Sequence, residues 1–411
     1  MRVFSVMRIT LVVLVIIASI STIQGQNDKV TYIGQDLNTI TTAVPFLQIA
    51  PDARAGGMGE AGVSSAPDAN SMHWNPAKYT YLENSMGFSM SYSPWLRALV
   101  SDINLAYLTG YAKIDENQTV AGSLLYFSLG DITFTDIQGA TIGNYRPNEF
   151  ALSASYARKL TQNLSGAVSA RFINSNLTQG QSVGGASTKP GRSIAADIAL
   201  YSEHDVEFPN MEGYFAWGLN ISNIGSKISY SDDNTERDFI PTNLRFGPSL
   251  TLDIDDYNRL SFMVDVNKLL IPTPPIYATD SITGLPIFDD NGEQIIAFGK
   301  DPNVSVPVGM FQSFYDAPGG FKEEMREFAL AVGVEYWYDK QFAIRGGYFY
   351  ENQFKGNRKF FTLGAGLRYN VFGLDFAYLI PTGGQARNPL ENTLRFTLHF
   401  DFEAFQQQNK K

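Results

Sequence analysis

The chain has 411 residues, a formal net charge of −10 and no cysteine. Without cysteine it cannot build a disulfide framework or a zinc ribbon, and it offers no thiol for lipid attachment. The acidic balance argues against a nucleic-acid partner, because nucleic-acid-binding domains usually carry a basic surface.

Residues 1–25 have the layout of a signal peptide. Arg2 and Arg8 form a positive n-region, an apolar core covers residues 9–20, and small and polar residues lead to a cleavage point near Gln26. The apolar core is too short to anchor the chain across a bilayer. We therefore expect an exported protein.

The next region, residues 26–84, is expected to be an N-terminal extension, and its stretch 46–79 is rich in Gly, Ala and Ser. This stretch has neither a helical nor a strand period, so it is either a linker or a plug folded inside the C-terminal part of the chain. Its glycines suit close backbone packing against a wall. The residues expected to form a hatch or plug are Ala53, Arg54, Gly56, Gly57, Met58, Gly59, Gly62, Trp74, Asn75 and Pro76.

From about residue 85, apolar residues alternate with polar or small ones. Leu394, Phe396 and Leu398, for example, alternate with Arg395 and Thr397. Successive side chains of a strand point to opposite faces, so each such run has one apolar face. The predicted strands lie near 85–93, 101–113, 118–130, 148–159, 163–175, 192–203, 213–223, 242–253, 258–268, 328–338, 341–350, 360–369, 372–380 and 392–402.

The connections between these strands alternate in length. Tight turns come after most even-numbered strands, although the connection near 204–212 is expected to be longer. The long loops are 131–147, 176–191, 224–241, 269–327, 351–359 and 381–391. This alternation is typical of a bacterial outer-membrane barrel with its short turns in the periplasm. A soluble sandwich or propeller would not explain it.

The predicted fold class is therefore all-β: a transmembrane antiparallel β-barrel of about fourteen strands over residues 85–402, with a hatch inside and a periplasmic tail at 403–411. An N-terminal element ahead of so wide a barrel is better interpreted as a plug than as a linker. The aromatic residues expected at the lipid interfaces are Tyr336, Trp337, Tyr338, Tyr348, Tyr350, Tyr369 and Tyr378.

If the apolar faces meet lipid, the charged residues of the strands must point into the lumen, because a charge facing lipid at mid-bilayer costs about 2–4 kcal/mol. Their mixed signs predict a lumen filled by ion pairs. The inward set is Arg245, Asp265, Glu335, Arg345, Arg368, Asp375, Arg395 and His399.

No motif predicts a catalytic, cofactor or metal site. The three histidines, His73, His204 and His399, lack metal-ligand spacing. An outer-membrane hydrolase using His399 is conceivable in principle, but no nucleophile elbow accompanies it. The acidic pairs Asp232–Asp233 and Asp289–Asp290 suit solvated turns better than a calcium loop.

The loop at 269–327 is several times the usual length and opens with an apolar, proline-stiffened run. Its last part, after Gly319 and Gly320, is expected to form a short helix. Exposed apolar patches usually mark contacts with another protein, so we favour a partner-binding loop over one folded onto its own barrel. The candidate contact residues are Leu270, Ile271, Pro272, Pro274, Pro275, Ile276, Tyr277, Met310, Phe311, Phe314 and Phe321.

Several stretches resemble a known family. FLQIAPDARAGGMGEAG at 46–62 and WNPAKY at 74–79 resemble the hatch of FadL-like (long-chain fatty acid transporter-like) barrels. SVPVGMFQSFYDAPGGFKEEMREF at 305–328, GGYFYENQFKGNRKFFTLGAGL at 346–367 and NPLENTLRFTLHFDF at 388–402 resemble, within that superfamily, the PorV (LptO) branch of the Bacteroidetes type IX secretion system.

The resemblance implies a non-enzymatic outer-membrane component of protein export. Members associate with a giant translocon barrel of the SprA or Sov type and receive cargo that carries a C-terminal signal domain. They deliver this cargo to an attachment complex with a PorU-type sortase, and gliding members use the same machinery. The alternative, from the wider superfamily, is a transporter of hydrophobic small molecules across the outer membrane.

Overall fold

Fourteen antiparallel strands close into a barrel in the computed structural model of this chain. The structure describes residues 37–97, 100, 102–135, 138–180, 188–209, 211–231, 237–280, 282–382 and 388–402. The predicted signal peptide, the tail at 403–411 and the Asp232–Asp233 pair lie outside these residues.

The barrel strands are long enough to cross a bilayer at a tilt. Their bounds are β1 Met86–Pro94, β2 Asn104–Asp115, β3 Gln118–Ser128, β6 Asn148–Lys159, β7 Leu164–Asn176, β8 Gly191–Phe208, β9 Met211–Gly225, β10 Asn243–Asp253, β11 Asn258–Leu269, β14 Ala329–Tyr338, β15 Phe342–Tyr350, β16 Lys359–Tyr369, β17 Phe372–Pro381 and β18 Leu394–Asp401. Around the barrel they are hydrogen-bonded in the order β1-β18-β17-β16-β15-β14-β11-β10-β9-β8-β7-β6-β3-β2. The strand count and the predicted positions are confirmed.

One predicted connection is wrong. The connection near 204–212, expected to be somewhat longer than the other tight turns, is short. β8 and β9 stay paired as far as Phe208 and Met211, which leaves only residues 209–210 between them. The backbone hydrogen bonds between the two strands continue although their side chains no longer alternate. Exposed charges are tolerated there because strand ends that extend beyond the lipid do not face it.

Side chains on the barrel wall alternate between lumen and lipid. In β6 the burial alternates strictly from Glu149 to Arg158, with Leu152 and Tyr156 exposed and Ser153 and Ser155 buried. Since each strand repeats this pattern, the apolar set forms the outer face and the small and polar set forms the inner one. Within the described residues, no helix is both long and apolar enough to cross a membrane.

Trp337 corrects the predicted aromatic girdle. Its ring lies beneath the guanidinium groups of Arg345 and Arg368, 5.3 and 5.4 Å from the ring centroid. It shares the inward face of β14 with Glu335, whereas Tyr336 and Tyr338 belong to the other face. Strand parity therefore assigns this tryptophan to the lumen.

The long loops contain short elements that the sequence pattern did not reveal. One hairpin pairs β4 (Ile132–Thr135) with β5 (Thr141–Tyr145), and a second pairs β12 (Ile276–Tyr277) with β13 (Ile296–Phe298). A helix covers Val306–Gln312. The expected helix after Gly319 and Gly320 is present as Phe321–Glu324, continued by a 3-10 turn at Met325–Glu327.

The lipid-facing assignment predicts a depth-dependent cost for charge. Leu152 and Leu160 are both 57% exposed, but Leu152 is within β6 and Leu160 is in the adjoining short turn. Leu152→Arg should destabilise the barrel by about 2–4 kcal/mol and Leu160→Arg by about 0–1 kcal/mol. Reversible denaturant unfolding in lipid vesicles measures both, and equal costs would contradict the assignment.

Candidate functional site

The segment at 46–79 is built from short turns held by local caps. The Asp52 carboxylate accepts the Ala55 N–H at 2.9 Å and so caps the helix Ala53–Gly56. Asn75 caps the 3-10 turn Pro76–Tyr81 in the same way, with its side-chain oxygen 3.0 Å from the Ala77 nitrogen. Proline fits the first position of such a turn because no backbone donor is lost there.

This segment crosses the lumen. The helix Ala53–Gly56 contacts β16, β17 and β18, whereas the turn Pro76–Tyr81 contacts β3, β6, β7 and β8 across the barrel. The hydrogen bonds to the wall include Ala53 N to Thr397 Oγ1 (2.8 Å), Gly59 N to Thr362 Oγ1 (2.7 Å), Gly62 N and Val63 N to Asp265 Oδ2 (2.7 and 2.9 Å), Ser165 Oγ to the Ala77 carbonyl (2.7 Å) and Asn75 Nδ2 to the Leu200 carbonyl (2.8 Å).

Glycine is required where the segment meets the wall. Gly59 has a φ of +67°, and a Cβ there would lie 2.6 Å from the Tyr348 nitrogen. On the opposing strand, a Cβ at Gly347 would lie 2.1 Å from the Gly59 nitrogen and 2.2 Å from the carbonyl carbon of Met58. Backbone atoms cannot move aside as a flexible side chain can, so both positions exclude a larger residue.

Arg54 connects the segment to a chain of buried charges. It donates to both carboxylate oxygens of Glu335, from Nη2 at 2.7 Å and from Nε at 2.9 Å. Arg345 then bridges Glu335 at 2.6 Å and Asp375 at 2.8 Å. Burial alone would lower the pKa of Arg54, but Glu335 and Asp68 outweigh it and raise that pKa well above its ordinary value.

The chain of charges ends near the short turn at 370–371 of the same wall. Asp375 also accepts from Arg368 at 2.9 Å, and one of its oxygens lies 2.6 Å from the imidazole of His399. These contacts confirm that ion pairs fill this part of the lumen. They also give His399 a structural partner, and within the described residues no cluster of His, Asp and Glu could hold a metal ion.

The Trp-Asn-Pro triplet ties the end of the segment both to its start and to the wall. The indole Nε1 of Trp74 donates to Asp52 at 2.6 Å, and the guanidinium of Arg245 lies 4.6 Å from its ring centroid. Asn75 bonds the carbonyls of Val63 and Leu200. Met58 is fully buried among apolar residues of the wall.

Two polar residues that the sequence did not single out also fix the segment. Lys78 donates to the Gly62 carbonyl at 2.8 Å and to Ser65 Oγ at 3.0 Å, and burial lowers its pKa to about 8. Asp52 joins the helix cap to Trp74. Neither had a periodic pattern to mark it, because the segment has no period.

The long loop is anchored by a second buried cluster. Lys268, at the end of β11, lies 2.6 Å from Glu327, which also accepts from Thr273 at 2.6 Å and from Lys355 at 3.0 Å. Lys355 reaches Glu323 at 2.6 Å as well. The two ends of the loop and the neighbouring 351–358 connection are thereby held together.

The anchored loop corrects part of the predicted contact surface. Its apolar opening was expected to face a partner, but Leu270, Ile271, Pro272 and Pro275 are buried in this protein, because the Thr273–Glu327 anchor draws the run inward. Pro274, Ile276 and Met310 are half-buried and Tyr277 is partly exposed. The residues that do face outward are Phe311 (75% exposed), Phe314 and Phe321 (80% exposed).

The family model for type IX secretion system protein PorV matches residues 33–276, more than half of the chain. No curated protein matches the chain in sequence.

Three solved structures are similar in shape but distant in sequence. They are a TodX deltaS2S3 mutant monoaromatic hydrocarbon channel (12% identical, TM-score 0.48, covering 85% of this chain and 99% of that chain), the Pseudomonas putida toluene transporter TodX (11%, 0.44, 85% and 97%) and a Pseudomonas aeruginosa FadL homologue (12%, 0.42, 89% and 100%). At TM-scores below 0.5 these likenesses are weak, and the barrel is established by its own strand register.

Close packing at Gly347 predicts a selective effect of one methyl group. Gly347→Ala should displace the segment from the wall, because the new Cβ would overlap backbone atoms of Met58 and Gly59. Gly346→Ala is the matched control, since its Cβ would meet nothing closer than 4.0 Å. Limited trypsin digestion should cut Gly347→Ala faster after Arg54 or Lys78, with Gly346→Ala unchanged. Equal digestion of both variants would refute the contact.

Asp316 predicts a pH dependence of the loop anchor. Burial, with Glu324 and Glu327 adding repulsion, raises its pKa to about 6, although its Oδ2 accepts the Thr273 N–H at 3.1 Å. An acid whose folded pKa is raised binds more protons in the anchored state, so the anchor weakens as pH rises through about 6. Hydrogen exchange at residues 270–277, corrected for intrinsic rates, should show less protection at pH 7 than at pH 5.

The variant Asp316→Asn should remove this dependence, because the amide keeps an acceptor for Thr273 and carries no charge. Asp290→Asn, which neutralises an exposed carboxylate of the same loop, should keep it. Protection that changes with pH to the same extent in all three proteins would exclude Asp316 as its source.

Proposed function

Because the chain belongs to the PorV family of type IX secretion system proteins, we propose that it binds the giant translocon barrel of that system in the outer membrane. In this proposal it also receives secreted cargo through the cargo's C-terminal signal domain. It then passes the cargo to a surface attachment complex with a PorU-type sortase. The role is one of recognition, with no chemical step.

The observation that carries the proposal is the outward aromatic face of the anchored loop. Phe311 and Phe321 are three-quarters or more exposed although they belong to short helices, at Val306–Gln312 and Phe321–Glu324. Large aromatic side chains on an ordered frame lose little entropy on binding, which makes them frequent energetic centres of protein interfaces. Phe314, between them in sequence, is 45% exposed.

The lumen segment supports docking rather than conduction. Its backbone is bonded to the wall on both sides, and Arg54 is paired to Glu335. We propose that residues 46–79 act as a plug that keeps the barrel closed while the loops bind. Releasing the plug would leave a buried carboxylate with one partner fewer, at a cost of about 3–5 kcal/mol for breaking such a pair.

A transporter of hydrophobic small molecules is less well supported. An apolar conduit would need an apolar path through the lumen, whereas the wall beneath the plug carries Glu335, Arg345 and Asp375 in direct ion pairs. Charged groups of this kind favour a closed, structural interior over a path for apolar ligands.

The loop face predicts a specific loss of translocon binding. The double variant Phe311→Asp with Phe321→Asp should reduce copurification of the large translocon subunit about tenfold or more, because two buried aromatic contacts contribute about 2 kcal/mol or more together. Quantitative mass spectrometry of tagged protein from mildly solubilised membranes measures the ratio.

Ile282→Asp is the matched control, because Ile282 is 93% exposed in the same loop but distant in sequence from the aromatic face. It should leave recovery unchanged. Undiminished recovery of the translocon subunit with the double variant would refute the assignment of this face. An equal loss with Ile282→Asp would indicate a nonspecific effect on the loop.

A further inference from the structure

A polar cavity lies near the long-loop end of the lumen, above the plug. It is bordered by Leu47 and His73 of the N-terminal segment, by Arg171 of β7, by Arg245 of β10 and by Glu327 and Arg358 of the loop region. A cavity lined by this many charged groups must balance them internally, because unpaired charge away from bulk water is costly.

Each carboxylate that lines the cavity has a cationic partner. Glu60 accepts from Arg395 at 2.7 Å, Glu327 from Lys268 and Lys355, and Glu351 from Arg358 at 2.9 Å. These groups therefore contribute little unbalanced negative charge to the cavity.

The cations are not balanced in the same way. Arg171 is paired with Asp197 at 2.9 Å. The Nε of Arg245 donates to the neutral amide oxygen of Asn267 at 2.7 Å, but within the described residues its two Nη groups make no hydrogen bond and no ion pair. Asp265 and Glu60 are the carboxylates whose charges act on Arg245, but neither makes an ion-pair contact with it. The Oδ2 of Asp265 accepts two backbone N–H groups of the plug, and its Oδ1 makes no hydrogen bond within the described residues.

His73 lines the same cavity next to Arg245. The two flank Trp74, with the His73 ring 4.8 Å from the indole ring and the Arg245 guanidinium 4.6 Å from it. The His73 ring nitrogens make no hydrogen bond within the described part of the chain. Burial, then the positive charges of Arg245, Arg171 and Arg395, lower the pKa of His73 well below its ordinary value.

We propose that Arg245 and His73 form a binding site for the carboxylate group of a small organic acid in this cavity. The planar guanidinium offers two parallel N–H donors that match the two oxygens of a carboxylate. A neutral imidazole beside it supplies one further N–H donor. This site is independent of the loop face and of the proposed role in secretion.

The test measures the His73 pKa in the full-length protein in detergent or nanodiscs. The chain has three histidines, so His73 can be assigned in an NMR spectrum of histidine-labelled protein by its loss in His73→Asn. Acetate at constant ionic strength should raise the His73 pKa, because a bound anion favours the imidazolium. Equal concentrations of chloride should not. A shift with inorganic phosphate alone would overturn the carboxylate assignment.

The variant Arg245→Gln should raise the acetate concentration for half-maximal response at least about tenfold, because a charge-assisted hydrogen bond is lost. Arg192→Gln removes an exposed arginine of β8 and should leave the response unchanged. If Arg245→Gln fails to fold, Arg245→Lys keeps the charge without the planar fork and should still weaken the response. The proposed site is refuted if acetate leaves the His73 pKa unchanged, or if the wild type and both Arg245 variants respond equally to acetate.

Discussion

The interior of this barrel depends on one electrostatic constraint: charges in the middle of the wall cannot face lipid, so they must be neutralised in the lumen. Glu335 shows how this is achieved. It lies between Arg54 of the plug and Arg345 of β15, and both guanidinium groups reach it within 3 Å. An uncompensated buried charge is strongly destabilising. The wall carboxylate therefore depends on the arginine of the plug, and that arginine depends on the wall carboxylate.

The same constraint limits the surfaces that are open to a partner. The plug occupies the lumen so closely that Gly59 and Gly347 meet backbone to backbone. The outer wall is committed to lipid by its apolar side chains. The recognition proposed here therefore rests on the long-loop end, where Phe311 and Phe321 are exposed on an ordered frame.

The sequence was most informative where geometry repeats. Period-two alternation predicted the strands and the direction of Glu335, Arg345 and Asp375, because strand parity leaves only two choices for each side chain. The prediction failed at Trp337. Its residue type suggested a position at the lipid interface, but its place in the alternation of β14 directs the side chain into the lumen. The prediction also failed beyond Glu203, where strands continue outside the lipid and the pattern no longer has a reason to alternate.

The buried opening of the long loop could not be predicted for a different reason. Its anchor joins Thr273 to Glu327 and Glu327 to Lys355, and no local pattern connects residues so far apart in sequence. An apolar, proline-rich run has the same composition whether it covers its own barrel or another protein. Only the positions of the distant charged partners distinguish the two cases.

The plug and the loop are held by separate networks. Within the described residues, the cluster around Lys268 and Glu327 shares no member with the chain that runs from Arg54 through Glu335. Opening one therefore does not oblige the other to open, because energetic coupling between sites requires an element that both of them bias. The proposed docking through the loop, with the lumen kept sealed, depends on this separation, because the loop can then adapt to a partner while the charges that close the barrel remain paired.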